Sequence, residues 1–272
     1  MHRLHRAVYI LRVFGIRELI QRLGMKLFPP QPLSIAEVAK AGMSVASNSF
    51  GVTSILCRGS EIEALEEHRH LEFVAEWDKC LASLDLETAT KFPPEYDVEV
   101  QTAKTLYVLT RWCRPKKILE TGIARGLSSF ALLSAVKANK MGVVYSVDVD
   151  PLAGDLVPEG LKDRWHKQTI DAKRAKVSFQ DLVDHIEVVD FFFHDSNHRE
   201  SWMKFEFDAV LKQMSPGGIL GADDVDLNRS FLTVVPHASS SAVLLDSRKA
   251  SAFAVVRCAP QLHASHVSDF EM

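Results

Sequence analysis

The chain has 272 residues, of which 47% are hydrophobic and 25% are charged, and its formal net charge at pH 7 is −3. This length fits one large domain with or without an appendage, and a charge so close to neutral gives no overall argument for nucleic acid binding. No apolar run approaches the ~20 residues that a helix needs to span a bilayer, and arginines interrupt the apolar stretch at the N-terminus where a secretory signal would lie.

The cysteines are widely spaced and form no Cys-x-x-Cys pair. They are Cys57, Cys80, Cys113 and Cys258. This pattern is typical of reduced, mostly buried thiols and indicates neither a disulfide framework nor a zinc site. We therefore expect a cytoplasmic protein.

Residues 1–28 are predicted to form a basic amphipathic helix. Apolar residues recur there at steps of three and four, arginines and a lysine lie among them, Glu18 is the only acid, and Pro29-Pro30 ends the pattern. Such a helix can lie on an anionic membrane surface, or it can dock on the domain or on a second subunit. Its broad apolar face and two internal glycines favour docking, and both peripheral membrane contact and a homo-oligomer stay open.

Residues 29–95 are predicted to be a connector and a helical extension that contacts the substrate or a second subunit. A short helix is expected from Ile35 to Ala41 and a charged helix from Glu61 to Leu84. His68 and His70 lie in the polar portion of the longer helix and are expected to be solvated. The positions of that helix expected to be buried are Leu65, Leu71, Val74, Trp77 and Leu81. A further helix, from Val98 to Trp112, opens a domain that spans residues 96–272.

A strand, a tight loop and a helix are predicted between residues 117 and 136. The apolar run Lys117-Ile118-Leu119 ends at Glu120, Gly122 and Gly126 follow four residues apart, and an apolar helix begins at Leu127. The glycines allow the backbone to approach a ligand, and the N–H groups of the first helical turn point at it.

The next strand, Val143 to Val147, ends at Asp148. An acid at the tip of the second strand of such a unit can accept hydrogen bonds from both hydroxyls of a ribose. The spacing therefore predicts a nucleoside-binding βαβ unit, with an ordinary strand-to-helix turn and a surface acid as the alternative. The glycine spacing departs from Gly-x-Gly-x-x-Gly, which disfavours a nicotinamide oxidoreductase.

This pattern resembles the class I S-adenosylmethionine-dependent methyltransferases. The resemblance implies an α/β fold, a doubly wound, seven-stranded, Rossmann-like sheet with an N-terminal helical extension. It also implies that Glu120, Gly122 and Gly126 face the methionine part of S-adenosylmethionine and that Asp148 holds its ribose. Asp171 follows a brief third strand around residues 166–170, at a point where the family often contacts the adenine amino group.

The remaining chain continues the alternation of helices and strands. A buried strand begins at Val188 and ends at Asp195, and a strand from Ile219 to Ala222 ends at Asp223-Asp224. Helices are expected over 177–185 and 201–214, a sharp turn over 215–218, and closing strands over 231–235, 242–245 and 252–256.

Three acids follow two strands that should be neighbours, namely Asp195, Asp223 and Asp224. Carboxylates brought this close would repel one another and raise their pKa values. A hard divalent cation removes that conflict, and oxygen ligands with open water positions suit Mg²⁺. A sugar diol or catechol could then chelate the metal, which would acidify a hydroxyl.

The segments His194-Asp-Ser-Asn-His198 and Asp223-Asp-Val-Asp-Leu-Asn228 resemble the metal-site segments of catechol-type and sugar O-methyltransferases. The similarity covers roughly residues 95–257 and implies that Asp195, Asp223 and Asp224 bind Mg²⁺. The catechol-type enzymes carry a base lysine three residues beyond the first metal ligand. His198 stands there, and a neutral imidazole could serve as the base near pH 7.

Each of these residues has a structural alternative. Asp223 or Asp224 could cap the next turn without binding metal, and His198 could only order its loop. Asn228 could ligate metal, contact substrate or cap the turn that follows it. For Trp202 and Phe205, core packing is the expected role.

The function expected from this resemblance is methylation of a hydroxyl on a small molecule or glycan, with S-adenosylmethionine and Mg²⁺. Two alternatives stay open because the fold alone does not settle the chemistry. One is a metal-independent methyltransferase that acts on nitrogen or on a protein. The other is a non-catalytic scaffold with this fold, at a membrane or in an assembly.

Overall fold

We describe a computed structural model of the chain over residues 33–57, 67–87, 92–245 and 252–260. The helices are α1 (Ile35–Lys40), α2 (Ser49–Leu56), α3 (Glu67–Ala82), α4 (Val100–Cys113), α5 (Leu127–Asn139), α6 (Ala175–Ile186) and α7 (Glu200–Leu211). The strands are β1 (Ser44–Ala46), β2 (Lys117–Thr121), β3 (Val143–Asp148), β4 (Trp165–Thr169), β5 (Val189–His194), β6 (Met214–Ala222), β7 (Ala238–Leu245) and β8 (Ala252–Cys258).

The strands form one sheet in the order β1-β7-β8-β6-β5-β2-β3-β4. Only the pairings of β8 with β6 and β7 are antiparallel. From β2 the chain moves outward through β3 and β4, and it then returns to build β5 and β6 on the other side. The gap between β2 and β5 is therefore the topological switch point, where ligands bind in sheets of this kind.

Helices cover both faces of the sheet, as the alternation of buried side chains requires. Ile118 and Phe191 pack with helices α2 to α5, whereas Leu119 and Phe192 pack with α1, α6 and α7. Side chains alternate between the faces of a strand, so strands covered on both faces carry consecutive apolar residues along their middle. The predicted doubly wound α/β sheet is confirmed.

The sheet has eight strands rather than the seven expected, because β1 pairs in parallel with β7. This strand and helix α2 lie in the segment predicted to be a connector. Their presence also corrects the prediction for His70, which is buried against Ser49 and Phe50 of α2 instead of solvated. Leu71, expected to be buried, is one of the exposed large apolar side chains.

Two further predictions are wrong in local detail. The strand expected over 231–235 is instead a pair of short 3-10 turns, Ser230–Thr233 and Val235–His237. The turn expected over 215–218 lies inside β6, where a register shift against β5 accommodates the extra residues. The helix predicted over residues 1–28 lies outside the described residues.

No helix in the described part of the chain combines the length and apolarity that crossing a membrane requires.

The four cysteines are thiols rather than disulfides, and the burial of two of them gives a testable result. Burial raises the pKa of Cys258 to about 11 and also raises the pKa of Cys57. The thiolate is the reactive form of cysteine, so a raised pKa lowers its fraction at pH 8. We expect iodoacetamide at pH 8 to leave both residues unmodified in the folded protein and to modify them in urea, as read by peptide mass. Equal rates in both conditions would contradict this account.

Candidate active site

The carboxyl ends of three adjacent strands meet at the switch point. Thr121 at the end of β2 pairs in register with His194 at the end of β5. The Asp195 N–H donates to the Thr121 carbonyl at 2.8 Å, and the Asp223 N–H donates to the His194 carbonyl at 2.9 Å. These two bonds place Asp195 beside the end of β2 and Asp223 beside the end of β5, so the acids after β5 and β6 lie at the same edge of the sheet as the glycine loop.

The glycine loop is shaped first by contact with its neighbouring backbone. Gly122 has φ +81°, and a Cβ atom there would lie 2.0 Å from the Asp195 carbonyl oxygen. Gly126 has φ +105°, and a Cβ atom there would lie 3.1 Å from the Gly154 Cα. Both positions therefore need glycine in order to seat the loop, whatever ligand it then receives.

Glu120 is enclosed by three serine hydroxyls. Its carboxylate accepts from Ser128 at 2.6 Å, from Ser129 at 2.5 Å and from Ser146 at 2.6 Å. Burial raises the pKa of Glu120, and the three hydroxyl donors act in the opposite direction. These bonds fix the start of helix α5 against β2 and β3. A role for Glu120 in cofactor binding stays a prediction.

Asp148 lies at the end of β3 and braces the glycine loop. Its Oδ2 accepts from the Ile123 N–H at 2.8 Å and the Ala124 N–H at 3.2 Å, and its Oδ1 accepts from the Asp150 N–H at 2.9 Å. A carboxylate has about four acceptor positions, so this arrangement leaves capacity for a ligand hydroxyl. Ribose binding by Asp148 stays a prediction.

Asp171 is exposed and lies two residues beyond β4. Its Oδ1 accepts from the Lys173 N–H at 2.9 Å, within the turn that leads into helix α6. The structure therefore gives Asp171 a contact within its own turn, and its predicted contact with adenine stays a prediction.

His198 lies between two of the predicted metal ligands. Its Nε2 atom is 3.5 Å from Asp195 Oδ1 and 3.6 Å from Asp224 Oδ2, and all three side chains are partly exposed. These distances are ion-pair contacts rather than short hydrogen bonds. The imidazole is thus flanked by two carboxylates at the open end of the site, where it can take up a proton.

Asp223, by contrast, has a buried side chain. Among the residues whose placement the structure describes, no three His, Cys, Asp or Glu side chains are grouped to hold a metal ion. Since His198 lies between Asp195 and Asp224, the site in this arrangement does not fit a three-ligand Mg²⁺ centre. Metal binding by these three aspartates stays a prediction.

Asn228 supports the His198 loop from the neighbouring loop. Its Nδ2 donates to the His198 carbonyl at 2.8 Å, and its Oδ1 accepts from the Ser230 N–H at 2.8 Å. Of the roles that the sequence left open for Asn228, the structure shows the capping of the turn that follows it. Asn228 also holds the His198 loop through the hydrogen bond to the His198 carbonyl.

Sequence reasoning missed Glu206 on helix α7. Its buried carboxylate contacts Thr121, His194, Ser196 and Trp202, all within 2.9 Å. Trp202 and Phe205 pack against the core as expected. The signal for Glu206 was an acid at an apolar helical position, since Met203, Phe207 and Val210 are its buried neighbours on that helix.

The N-terminal extension borders both loops of the site. The Leu33 N–H donates to the Asp226 carbonyl at 2.9 Å, and Arg229 pairs with Glu37 at 2.7 Å. The Ser34 backbone N–H and the Arg229 guanidinium lower the pKa of Glu37 to about 2. The extension also reaches the glycine loop. The buried Arg125 of that loop donates to the Leu86 carbonyl and pairs with the Asp97 carboxylate.

Comparisons with known proteins agree with this architecture. Residues 119–225 match the model of a methyltransferase domain family. That match covers β2 to β6, and with them the glycine loop and the acids after β5 and β6. No curated protein sequence gives a significant match.

Several solved structures share the fold. The O-methyltransferase TomG from Streptomyces achromogenes, which is involved in tomaymycin synthesis and was solved with S-adenosylmethionine, is 17% identical with a TM-score of 0.51. The alignment covers 73% of this chain and 93% of TomG. An O-methyltransferase from Bacillus cereus, solved with S-adenosylhomocysteine, is 20% identical with a TM-score of 0.49 over 72% of this chain and 94% of that one.

At these identities the structural similarity concerns the fold alone, and the domain match concerns residues 119–225. Over residues 119–225 the chain is thus similar to a methyltransferase domain, and its sheet shares the fold of TomG.

Proposed function

We propose that the protein methylates a hydroxyl group of a small molecule or glycan and that His198 is the general base. The observation that carries this proposal is the position of the His198 imidazole, which lies between Asp195 and Asp224 at 3.5 and 3.6 Å. The O-methyltransferase TomG, whose fold the chain shares, supports the same chemistry.

The chemistry divides between the cofactor and the chain. When bound, S-adenosylmethionine supplies a methyl group on a positively charged sulfur. The acceptor hydroxyl would give its proton to the His198 Nε2 atom as its oxygen bonds to the methyl carbon, while the bond from that carbon to sulfur breaks and S-adenosylhomocysteine leaves. General base catalysis of this kind contributes about 10²- to 10⁴-fold. The flanking carboxylates of Asp195 and Asp224 then stabilise the imidazolium by Coulomb attraction.

The glycine loop would hold the cofactor on the side of β2 and β3. Asp148 has acceptor capacity there for a ribose hydroxyl, and the first turn of helix α5 opens toward the same edge. The acceptor would enter from the side of β5 and β6, where Glu37 and Leu33 of the extension contact the loop after β6. Specificity for the acceptor is thus expected to depend on this extension.

A second candidate is the same reaction with Mg²⁺ assistance. The observation that favours it is that Asp195 and Asp224 already face one common point, at the His198 Nε2 atom. Metal bound by Asp195, Asp223 and Asp224 would act as a Lewis acid on a chelated diol. It would require the imidazole to leave that point and the buried Asp223 carboxylate to turn outward.

A methyl-transfer assay separates these candidates. The purified protein would be incubated with S-adenosylmethionine and a panel of catechols and sugars, and mass spectrometry would identify each methylated product. We expect methylated oxygen, with activity that survives EDTA. Activity that disappears in EDTA and returns with Mg²⁺ would favour the metal-assisted reaction. Methylation of nitrogen or of protein side chains would contradict the proposal.

A further inference from the structure

We propose that Glu206 is a positioning residue that joins the cofactor loop to the loop carrying Asp195 and His198. This inference rests on the proposed function, since it assigns a role within the same site. Glu206 lies on helix α7 beneath the switch point, with only 2% of its surface exposed. It acts through its neighbours, because its side chain lies below the open end of the site.

One carboxylate bridges the two loops. Glu206 Oε2 accepts from Thr121 Oγ1 at 2.8 Å and lies 2.6 Å from His194 Nδ1. Glu206 Oε1 accepts from Ser196 Oγ at 2.9 Å and from Trp202 Nε1 at 2.6 Å. Thr121 immediately precedes Gly122 of the cofactor loop, and His194 and Ser196 flank Asp195 on the acceptor side.

The four contacts of Glu206 match the acceptor positions of a carboxylate. An ionised carboxylate only accepts, and it has about four positions for doing so. Three partners are hydroxyl or indole donors, and His194 completes the set when its proton is on Nδ1, the tautomer that this network dictates. A glutamine at this position would turn an NH₂ group toward one of these donors. An ionised carboxylate therefore satisfies all four partners at once, and the indole N–H of Trp202, which can only donate, fixes Oε1 as an acceptor.

Packing alone does not explain a charge at this position. Helix α7 buries Met203, Phe207 and Val210 on the same face, so an apolar residue would complete its core stripe. Burying a carboxylate is costly unless hydrogen bonds satisfy it. All four contacts of Glu206 go to the residues that join or support the two loops. Methyl transfer needs donor and acceptor aligned closely, and a displacement of about 1 Å can lower a rate about 10²-fold.

The test is a double-mutant cycle across the bridge in the full chain. Thr121→Val removes the contact on the cofactor side, and Ser196→Ala removes the one on the acceptor side. Two readouts are measured for each variant, namely the Kd for S-adenosylhomocysteine by calorimetry and the His198 imidazole resonances by NMR, assigned with His198→Asn. Each variant is made both in the wild-type protein and together with Glu206→Gln.

We expect each change to act on the opposite loop. Ser196→Ala should weaken S-adenosylhomocysteine binding by about threefold or more, and Thr121→Val should shift the His198 resonances, because coupled contacts act non-additively. Neither cross-effect should persist in the Glu206→Gln protein. Asp208→Asn, an exposed carboxylate on the same helix that pairs with Lys204, is the matched control and should change neither readout.

If Glu206 only stabilises the fold and does not couple the two loops, the variants should give a different result. The variants would then lower the melting temperature while the Kd and the His198 resonances stay at wild-type values, and this would overturn the proposal. If Glu206→Gln does not fold, the cross-effects of the two single-contact variants decide the question. If the wild-type protein does not bind S-adenosylhomocysteine, the proposed function fails. In that event the response of the His198 resonances to Thr121→Val still tests the bridge.

Discussion

Replacing His198 with asparagine is expected to lower kcat for methyl transfer by about 10²- to 10⁴-fold. Asparagine keeps a polar side chain between Asp195 and Asp224 but cannot take up the acceptor proton. The Kd for S-adenosylhomocysteine should stay close to the wild-type value, because His198 lies on the acceptor side of the site. Steady-state kinetics with an acceptor found in the panel, together with calorimetry, measure both quantities.

His68→Asn is the matched control for this prediction. His68 is also a histidine beside an acid, but it pairs with Glu72 on the surface of helix α3, and 79% of its side chain is exposed. Its replacement should leave kcat unchanged. A His198→Asn protein with wild-type kcat would remove His198 from the reaction, and the flanking carboxylates would then need another role.

Replacing Gly122 with alanine is expected to abolish cofactor binding and to destabilise the fold by about 3 kcal/mol or more. The added Cβ would lie 2.0 Å from the Asp195 carbonyl oxygen and 2.8 Å from the Ser196 Cα, and both atoms belong to the backbone. The ends of β2 and β5 would therefore have to separate. Chemical denaturation and calorimetric titration measure the two effects.

Gly42→Ala separates the clash from the backbone strain. Gly42 has φ +79°, close to the +81° of Gly122, but a Cβ atom there would meet nothing within 4 Å. An alanine at such a φ costs about 1–2 kcal/mol, and Gly42→Ala should show that cost alone. Equal losses in the two variants would mean that the contact between the loops contributes nothing.

The parts of the fold that the sequence predicts are those with strong local patterns. The buried strands β2 and β5 are apolar runs, each followed by an acid, and the glycine loop identifies the start of helix α5. Strand β1 has only three residues, Ser44–Ala46, and exists through its pairing with β7. No local pattern can reveal a strand that tertiary contact alone maintains.

Dependence on tertiary contacts also explains why the burial of His70 was predicted wrongly and why Glu206 was missed. His70 occupies the polar part of a charged helix, and its burial depends on helix α2, which sequence reasoning left as a connector. Glu206 carries no motif of its own, and its contacts join residues 121, 194 and 196 across the chain. The acids after β5 and β6 could be predicted to converge, because parallel strands end at the same edge of a sheet. The placement of the His198 imidazole between two of them is a side-chain arrangement that spacing does not determine.

The most direct test of a cofactor site at the switch point is a calorimetric titration of the wild-type protein with S-adenosylhomocysteine, repeated on Asp148→Ala. We predict saturable micromolar binding that is lost in Asp148→Ala, because the same carboxylate braces the glycine loop and is predicted to accept from the ribose hydroxyls. Asp184→Ala, an exposed acid on helix α6, should bind as the wild type does. Absence of binding by the wild-type protein at millimolar S-adenosylhomocysteine, or undiminished binding by Asp148→Ala, would contradict the account.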